Sequence, residues 1–149
     1  MRALYYPGMS EIRRLAHVER IPIRWGDMDA MGHVNNTIYF RYMEQARISW
    51  FDRLVPQAEA WRSTGIVIAN ASCNYRRAIS YPGVVEVKLY VGPPGGASVP
   101  TSYELRVDGD PVPYADGAAV VVFIDMRTQK SKRIPEDVRA RLERAQAAA

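Results

Sequence analysis

Along this chain the hydrophobic and polar positions alternate, then change period, then alternate again. Val18 to Trp25 (VERIPIRW) alternates with Ile21, Ile23 and Trp25 on one face, the pattern of a half-buried strand. From Asn36 the period lengthens to about 3.6 residues. Tyr39, Met43, Ala46 and Trp50 form one stripe, and Ile38 and Tyr42 widen it. The spacing predicts a helix from Asn36 to near Leu54, ended ahead of Pro56. So many aromatic residues on one helix imply that most of its circumference is covered, as in a helix wrapped by a sheet.

After an irregular region over 61–65, strand patterns predominate, over 66–78, 84–91, 98–107 and 114–126. Ser80-Tyr-Pro-Gly83, the GPPGG run over 92–96 and Asp108-Gly-Asp-Pro111 supply the turns. Pro100 has no N–H to give a ladder, which predicts an edge or a bulge near the start of its strand. Ile134-Pro-Glu-Asp137 opens a second helix, with proline at its first position and acids in the first turn. The final AQAAA is expected to fray. Strands joined by tight turns after one long helix predict an α+β fold with a five-stranded antiparallel sheet. The expected partition is a lead-in over 1–17, one domain over 18–135, and a C-terminal helix with a frayed tail over 136–149.

Composition narrows this picture. The 149 residues suit one domain, and 48% hydrophobic with 24% charged residues is a globular balance. No apolar run reaches the roughly 20 residues of a membrane span. The mixed, charged N-terminus lacks the apolar core of a secretory signal, which predicts a cytoplasmic protein, with Met9 an alternative start. The single cysteine, Cys73, allows no intrachain disulfide and reads as a small buried side chain. His17 and His33 form no cluster of metal-ligand spacing, so neither metal nor cofactor is expected. A net charge of +4 is compatible with a phosphate-bearing ligand and decides nothing alone. No helix-turn-helix, zinc finger or aromatic platform points to nucleic acid.

The chemistry concentrates in RWGDMDAMGHVNNTIYF, Arg24 to Phe40, where an apolar strand hands over to an apolar helix. Asn35 or Asn36 suits the N-cap. Backbone N–H groups in the first turn have no intrahelical partner and, with the helix dipole, attract developing negative charge. A carboxylate beside such a donor can attack a carbonyl, or activate water against it. Asp29, seven residues before Asn36, is the candidate, against a plain reading as a turn aspartate. Asp27 reads as structural, fixing the turn or pairing with Arg24.

These residues resemble the hot-dog-fold acyl thioesterases of the 4-hydroxybenzoyl-CoA thioesterase type. The resemblance rests on Gly26-Asp-Met-Asp29, Gly32-His-Val-Asn-Asn36, Tyr39-Phe40 and Glu44-Gln-Ala-Arg47. Tyr81-Pro-Gly83, Ser98 with Tyr103, Ala115-Asp-Gly117 and Ile134-Pro135 extend it, so that it spans about Arg20 to Pro135. It implies a long helix wrapped by five antiparallel strands, paired into a homodimer, with a homotetramer as a dimer of dimers in some relatives. Active sites then lie between subunits. The resemblance makes Asp29 catalytic, as nucleophile or general base, and assigns the Asn36 N–H to the thioester carbonyl. It brings His33 into the site, with Gly32, Asn35, Tyr39 and Ser98 lining it. Arg76, Arg77, Lys130, Lys132 and Arg133 could meet coenzyme A phosphates, against a plain reading as solvated surface. The Gly-His-Val-Asn-Asn form leans towards aliphatic acyl-CoA, while GPPGG and Pro100 depart from the usual unbroken strand. Rival readings are a non-catalytic acyl-CoA-binding module and a thioesterase for carrier-protein or aryl-CoA substrates.

Overall fold

Helix α1 (Asn36–Leu54) begins at the residue where the 3.6-residue period sets in. In the computed structural model, which describes residues 13–148, it lies against one antiparallel sheet. The strands are β1 (Arg14–Pro22), β2 (Thr64–Tyr75), β3 (Val84–Val91), β4 (Ser98–Val107) and β5 (Ala115–Asp125), in the order β1-β3-β4-β5-β2. A 3-10 turn (Trp25–Asp27) joins β1 to α1, and α2 (Glu136–Ala148) closes the chain. This is the α+β, hot-dog arrangement that the sequence predicts. Residues 1–12, with the alternative start at Met9, lie outside the described part. Among the described residues no helix is long and apolar enough to cross a membrane.

The core lies between α1 and the sheet face packed against it. Val85, Val87 and Leu89 of β3, Val99, Tyr103 and Leu105 of β4, and Ala115, Val121 and Phe123 of β5 alternate inward. They meet Tyr42, Met43, Ala46, Trp50 and Phe51 of α1, all buried. Val138 and Leu142 of α2 are buried as well, so the last helix packs onto the domain.

Four expectations need correction. The first strand starts at Arg14, inside the expected lead-in, because a register shift between Leu15 and His17 breaks the alternation there. Trp25 leaves the strand face for the 3-10 turn and is 74% exposed. Pro100 sits in an interior strand with continuous register to β5; β3 ends opposite Thr101, and beside the proline the Gly92 N–H still donates to the Pro100 carbonyl at 2.9 Å, so only the return bond is lost. Strand β2 also stops short of the expected 78, because Arg76 and Arg77 both turn their N–H groups onto the Tyr114 carbonyl.

Two contacts show how closely α1 approaches the sheet. Arg47, 92% buried by its 8% exposure, donates from Nη1 to Tyr103 Oη at 3.2 Å. Tyr103 Oη lies 2.8 Å from Thr101 Oγ1, which donates to the Ala119 carbonyl at 2.7 Å, so donors and acceptors run one way into the sheet. Nearby, a Cβ on Gly117 would lie 2.5 Å from Met43 Sδ and 2.8 Å from the Ser72 carbonyl oxygen. The sulfur can move and the carbonyl of the paired strand cannot. Gly117→Ala is therefore expected to destabilise the fold by about 1–3 kcal/mol, read as a lower urea midpoint at unchanged m-value.

Candidate functional site

Strand β1 ends at Pro22, and Ile23 keeps it tied to the sheet by donating to the Gly83 carbonyl at 2.8 Å. The chain then turns through Trp25–Asp27, where Asp27 is 4% exposed. A buried carboxylate needs compensating donors, and three meet it. Tyr42 Oη donates at 2.8 Å and the Arg24 N–H at 3.0 Å to Oδ2, while Arg24 Nε lies 3.2 Å from Oδ1. The Asp27 carbonyl also accepts the Asn35 N–H at 2.9 Å. Burial first, then the Asp27 carboxylate, push the Tyr42 phenol above its ordinary pKa. Asp27 is thus the structural acid that the sequence predicts, and it joins the turn to α1.

Between Asp27 and α1 the chain makes a tight loop closed by a bridge between Met28 and Val34. Asp29 donates its N–H to the His33 carbonyl at 2.9 Å and accepts the Gly32 N–H at 3.0 Å. Gly32 has φ +75°, and a Cβ there would meet no atom, so the glycine answers a conformational demand rather than a steric one. The Asp29 side chain is exposed: Oδ1 accepts the Met31 N–H at 2.9 Å, and Asn35 Nδ2 lies 3.4 Å from Oδ2. Asn35 is the N-cap, its Oδ1 accepting the Thr37 N–H at 2.9 Å and the Thr37 hydroxyl at 2.7 Å. The next residue, Asn36, opens the helix, and its N–H makes no hydrogen bond among the described residues. An exposed carboxylate held on both oxygens, beside a free helix-start amide, can perform acyl transfer on a carbonyl that the amide polarises.

The remaining predicted residues fall into two groups. His33 is exposed at the loop. Tyr39 is core, 3% exposed, with its hydroxyl 3.4 Å from the Arg77 carbonyl. Arg76 and Arg77 lie at this same end, each already beside an acid. Arg76 Nε pairs with Asp116; Arg77 pairs with Asp110 at 2.8 Å and stacks on Tyr114 with 4.1 Å to the ring centroid. Ser98 lies elsewhere. It is opposite Val122 on β5, whereas Tyr75, beside the helix start, is opposite Ala115. Seven residues of strand separate those two β5 positions, roughly 23 Å. Lys130, Lys132 and Arg133 follow β5 at the Ser98 end, with Lys132 Nζ 2.7 Å from Thr64 Oγ1.

Tyr75 is the residue that sequence reading misses. Its hydroxyl donates to the Asn36 carbonyl at 2.7 Å, and its ring meets Tyr39 edge-on at 4.8 Å between centroids. Burial foremost raises its pKa, so it remains a phenol donor. No local signal marks it, since the strand pattern runs on past Tyr75 to 78. Burial also pushes the nearby Cys73 thiol up to about 11, which keeps it protonated near neutrality and unsuited to nucleophilic work. Among the described residues no three His, Cys, Asp or Glu side chains gather as metal ligands would.

Comparisons with known proteins bear on the family and the fold. Residues 23–142 match the model of the Thioesterase-like superfamily. The chain is 26% identical over 127 residues to the long-chain acyl-CoA thioesterase FadM of Escherichia coli, covering 83% of this chain and 95% of that one. The PA2801 protein of Pseudomonas aeruginosa superposes with a TM-score of 0.79 at 36% identity, over 87% of this chain and 99% of that one. A Thermus thermophilus thioesterase, solved with coenzyme A and zinc, superposes with a TM-score of 0.77 at 28% identity, over 89% and 96%.

Because Asp27 carries both the turn and the helix start, Asp27→Ala is expected to lower stability by about 2–4 kcal/mol, through the buried Tyr42 hydroxyl left without its acceptor and the lost charged bonds. Equilibrium urea denaturation followed by far-UV circular dichroism measures this directly.

Proposed function

The chain belongs to the Thioesterase-like superfamily, and on that premise we propose that it hydrolyses acyl-CoA thioesters to a free carboxylic acid and coenzyme A. It is a thioester hydrolase. The observation that carries the reading is local: Asp29 and the unpaired Asn36 N–H flank one loop and are tied together through Asn35. In this reading the thioester oxygen accepts from the Asn36 N–H and the carbonyl carbon faces the Asp29 carboxylate. As a general base, Asp29 takes a proton from water while the water oxygen bonds to that carbon. The C–S bond then breaks, and the departing thiolate regains the proton. As a nucleophile, Asp29 bonds to the carbon, expels the thiolate and leaves a mixed anhydride for water to open. A single turnover in oxygen-labelled water separates the routes, since attack by water on the anhydride's aspartyl carbon leaves label in Asp29 on the second alone.

Aliphatic acyl chains are the proposed substrates. The Gly32-His-Val-Asn-Asn36 string supports this, as does the likeness to a long-chain acyl-CoA thioesterase. Exposed Met31, Phe40 and Tyr75 around the loop and helix start offer apolar contacts suited to such a chain.

The active unit is proposed to be a homodimer formed along β2. This strand has one free edge, and its centre is exposed at Val67, Ala69, Asn70 and Ala71. Pairing that edge with the same edge of a second copy about a two-fold axis runs the strands antiparallel. The Thr64 end of one copy then lies beside the Tyr75 end of the other. Ser98 and Lys132 of one subunit come towards Asp29 and Asn36 of its partner, which reconciles the two groups of predicted residues in one site.

Asp29→Asn is expected to lower kcat at least about a hundredfold while the protein stays folded. Thiol release from acyl-CoA of graded chain length, with an aromatic thioester for comparison, measures it; full activity in a folded variant would sink the mechanism. The same panel should show faster turnover of long aliphatic than of aromatic thioesters. Sedimentation equilibrium should return twice the 16.8 kDa chain mass or a multiple of it.

A further inference from the structure

We infer that Asn35 is a positioning residue, which fixes the Asp29 carboxylate and selects the Asn36 N–H as the free donor, rather than a substrate-binding residue. The inference rests on the proposed reading of Asp29 and Asn36 and deepens it.

The argument starts with the orientation of one carboxamide. Asn35 Oδ1 accepts both the Thr37 N–H, at 2.9 Å, and the Thr37 hydroxyl, at 2.7 Å. Turning the amide over would set its NH2 group against that backbone N–H, donor facing donor. The cap therefore dictates that Nδ2 points the other way, where Asp29 Oδ2 lies at 3.4 Å. With the Met31 N–H on Oδ1, the carboxylate has a donor on each oxygen and its plane is set from both sides. Meanwhile the cap satisfies the N–H of Thr37 and leaves that of Asn36 free. The Asn35 backbone is itself anchored, its N–H donating to the Asp27 carbonyl at 2.9 Å. One side chain thus sets the relation between the attacking group and the amide that receives the developing charge.

Capping and positioning can be separated by substitution, because Ser and Asp cap helices about as well as Asn does. Asn35→Ser keeps the acceptor for Thr37 and loses the donor to Asp29. Asn35→Asp keeps the acceptor and sets a second anion beside the carboxylate. Circular dichroism and thermal unfolding should show both variants folded as the parent is. With a long-chain acyl-CoA, kcat should fall about tenfold in Asn35→Ser and about a hundredfold in Asn35→Asp, with KM changed less than about threefold. A residue that merely caps predicts parental kcat in both, and a residue that binds substrate predicts raised KM at parental kcat; either result overturns the inference. Asp29→Asn, assayed in parallel, tells the two failures apart. If it is inactive and Asn35→Asp matches the parent, the positioning role alone is wrong. If Asp29→Asn keeps full turnover, the reading of the site fails, and the inference with it.

Discussion

The buried carboxylate of Asp27 is the constraint from which the rest of the site follows. Carrying a charge into a core is unfavourable unless donors surround it, and here they come from Arg24 before it and Tyr42 after it. Tyr42 lies in the second turn of α1, so this one group fixes the rotation of the helix relative to the end of β1. Its carbonyl then sets the position of Asn35. Between those two anchors the loop over 28–34 has little freedom: the Met28–Val34 bridge closes it, and Val34 ties it to the Ile79 carbonyl at 2.7 Å. The candidate loop is thus tied at both ends although its side chains are exposed, an arrangement suited to a geometry-dependent acyl transfer.

How much of this was legible in the sequence depends on whether the signal was local. Asn36 could be read as the helix start because an N-cap asparagine and a change of hydrophobic period coincide there. The bounds of β3 and β4 follow from Pro and Gly turn chemistry on either side. Trp25 was misread because alternation continues through VERIPIRW after the strand has stopped. No pattern announces that Asp27 will draw the chain into a 3-10 turn. An arginine among apolar residues, as Arg47 is, does not reveal that a tyrosine five strand-residues from Ser98 will receive it. Tyr75 reaches Asn36 across 39 positions of sequence, and only the register of β2 makes that contact apparent. The loop residues of the site were readable together because they are contiguous. Ser98 was grouped with them by resemblance, and within one chain it is at the far end of the sheet.

Arg76 and Arg77 illustrate a related limit. Two adjacent arginines read as a phosphate-binding patch, yet each holds an acid from the β4–β5 region: Asp116 for Arg76, Asp110 for Arg77. Asp110 lies below its ordinary pKa, chiefly through the Val112 N–H and then the Tyr114 hydroxyl, with Arg77 adding to the effect. A phosphate approaching Arg77 must therefore share that guanidinium with an acid that stays ionised. The exposed half of the Arg77 side chain leaves room for sharing, but the charge available to a phosphate is less than sequence counting suggests.

The contrast between Asp27 and Asp29 shows why one acid of the pair suits chemistry and the other does not. They lie two residues apart and share a composition-level description, yet differ in how fully their lone pairs are used. Asp27 is enclosed, accepts from three donors and offers nothing to a substrate. Asp29 is exposed, takes one short backbone bond and one long carboxamide contact, and retains lone pairs on both oxygens. Exposure keeps its charge hydrated at little cost until a substrate displaces water, and the two donors limit the rotations available at that moment. The turn-aspartate reading and the catalytic reading are therefore not alternatives. In the proposed hydrolysis, the Asx-type bond to Met31 and the Asn35 carboxamide together hold the carboxylate beside the helix-start amide.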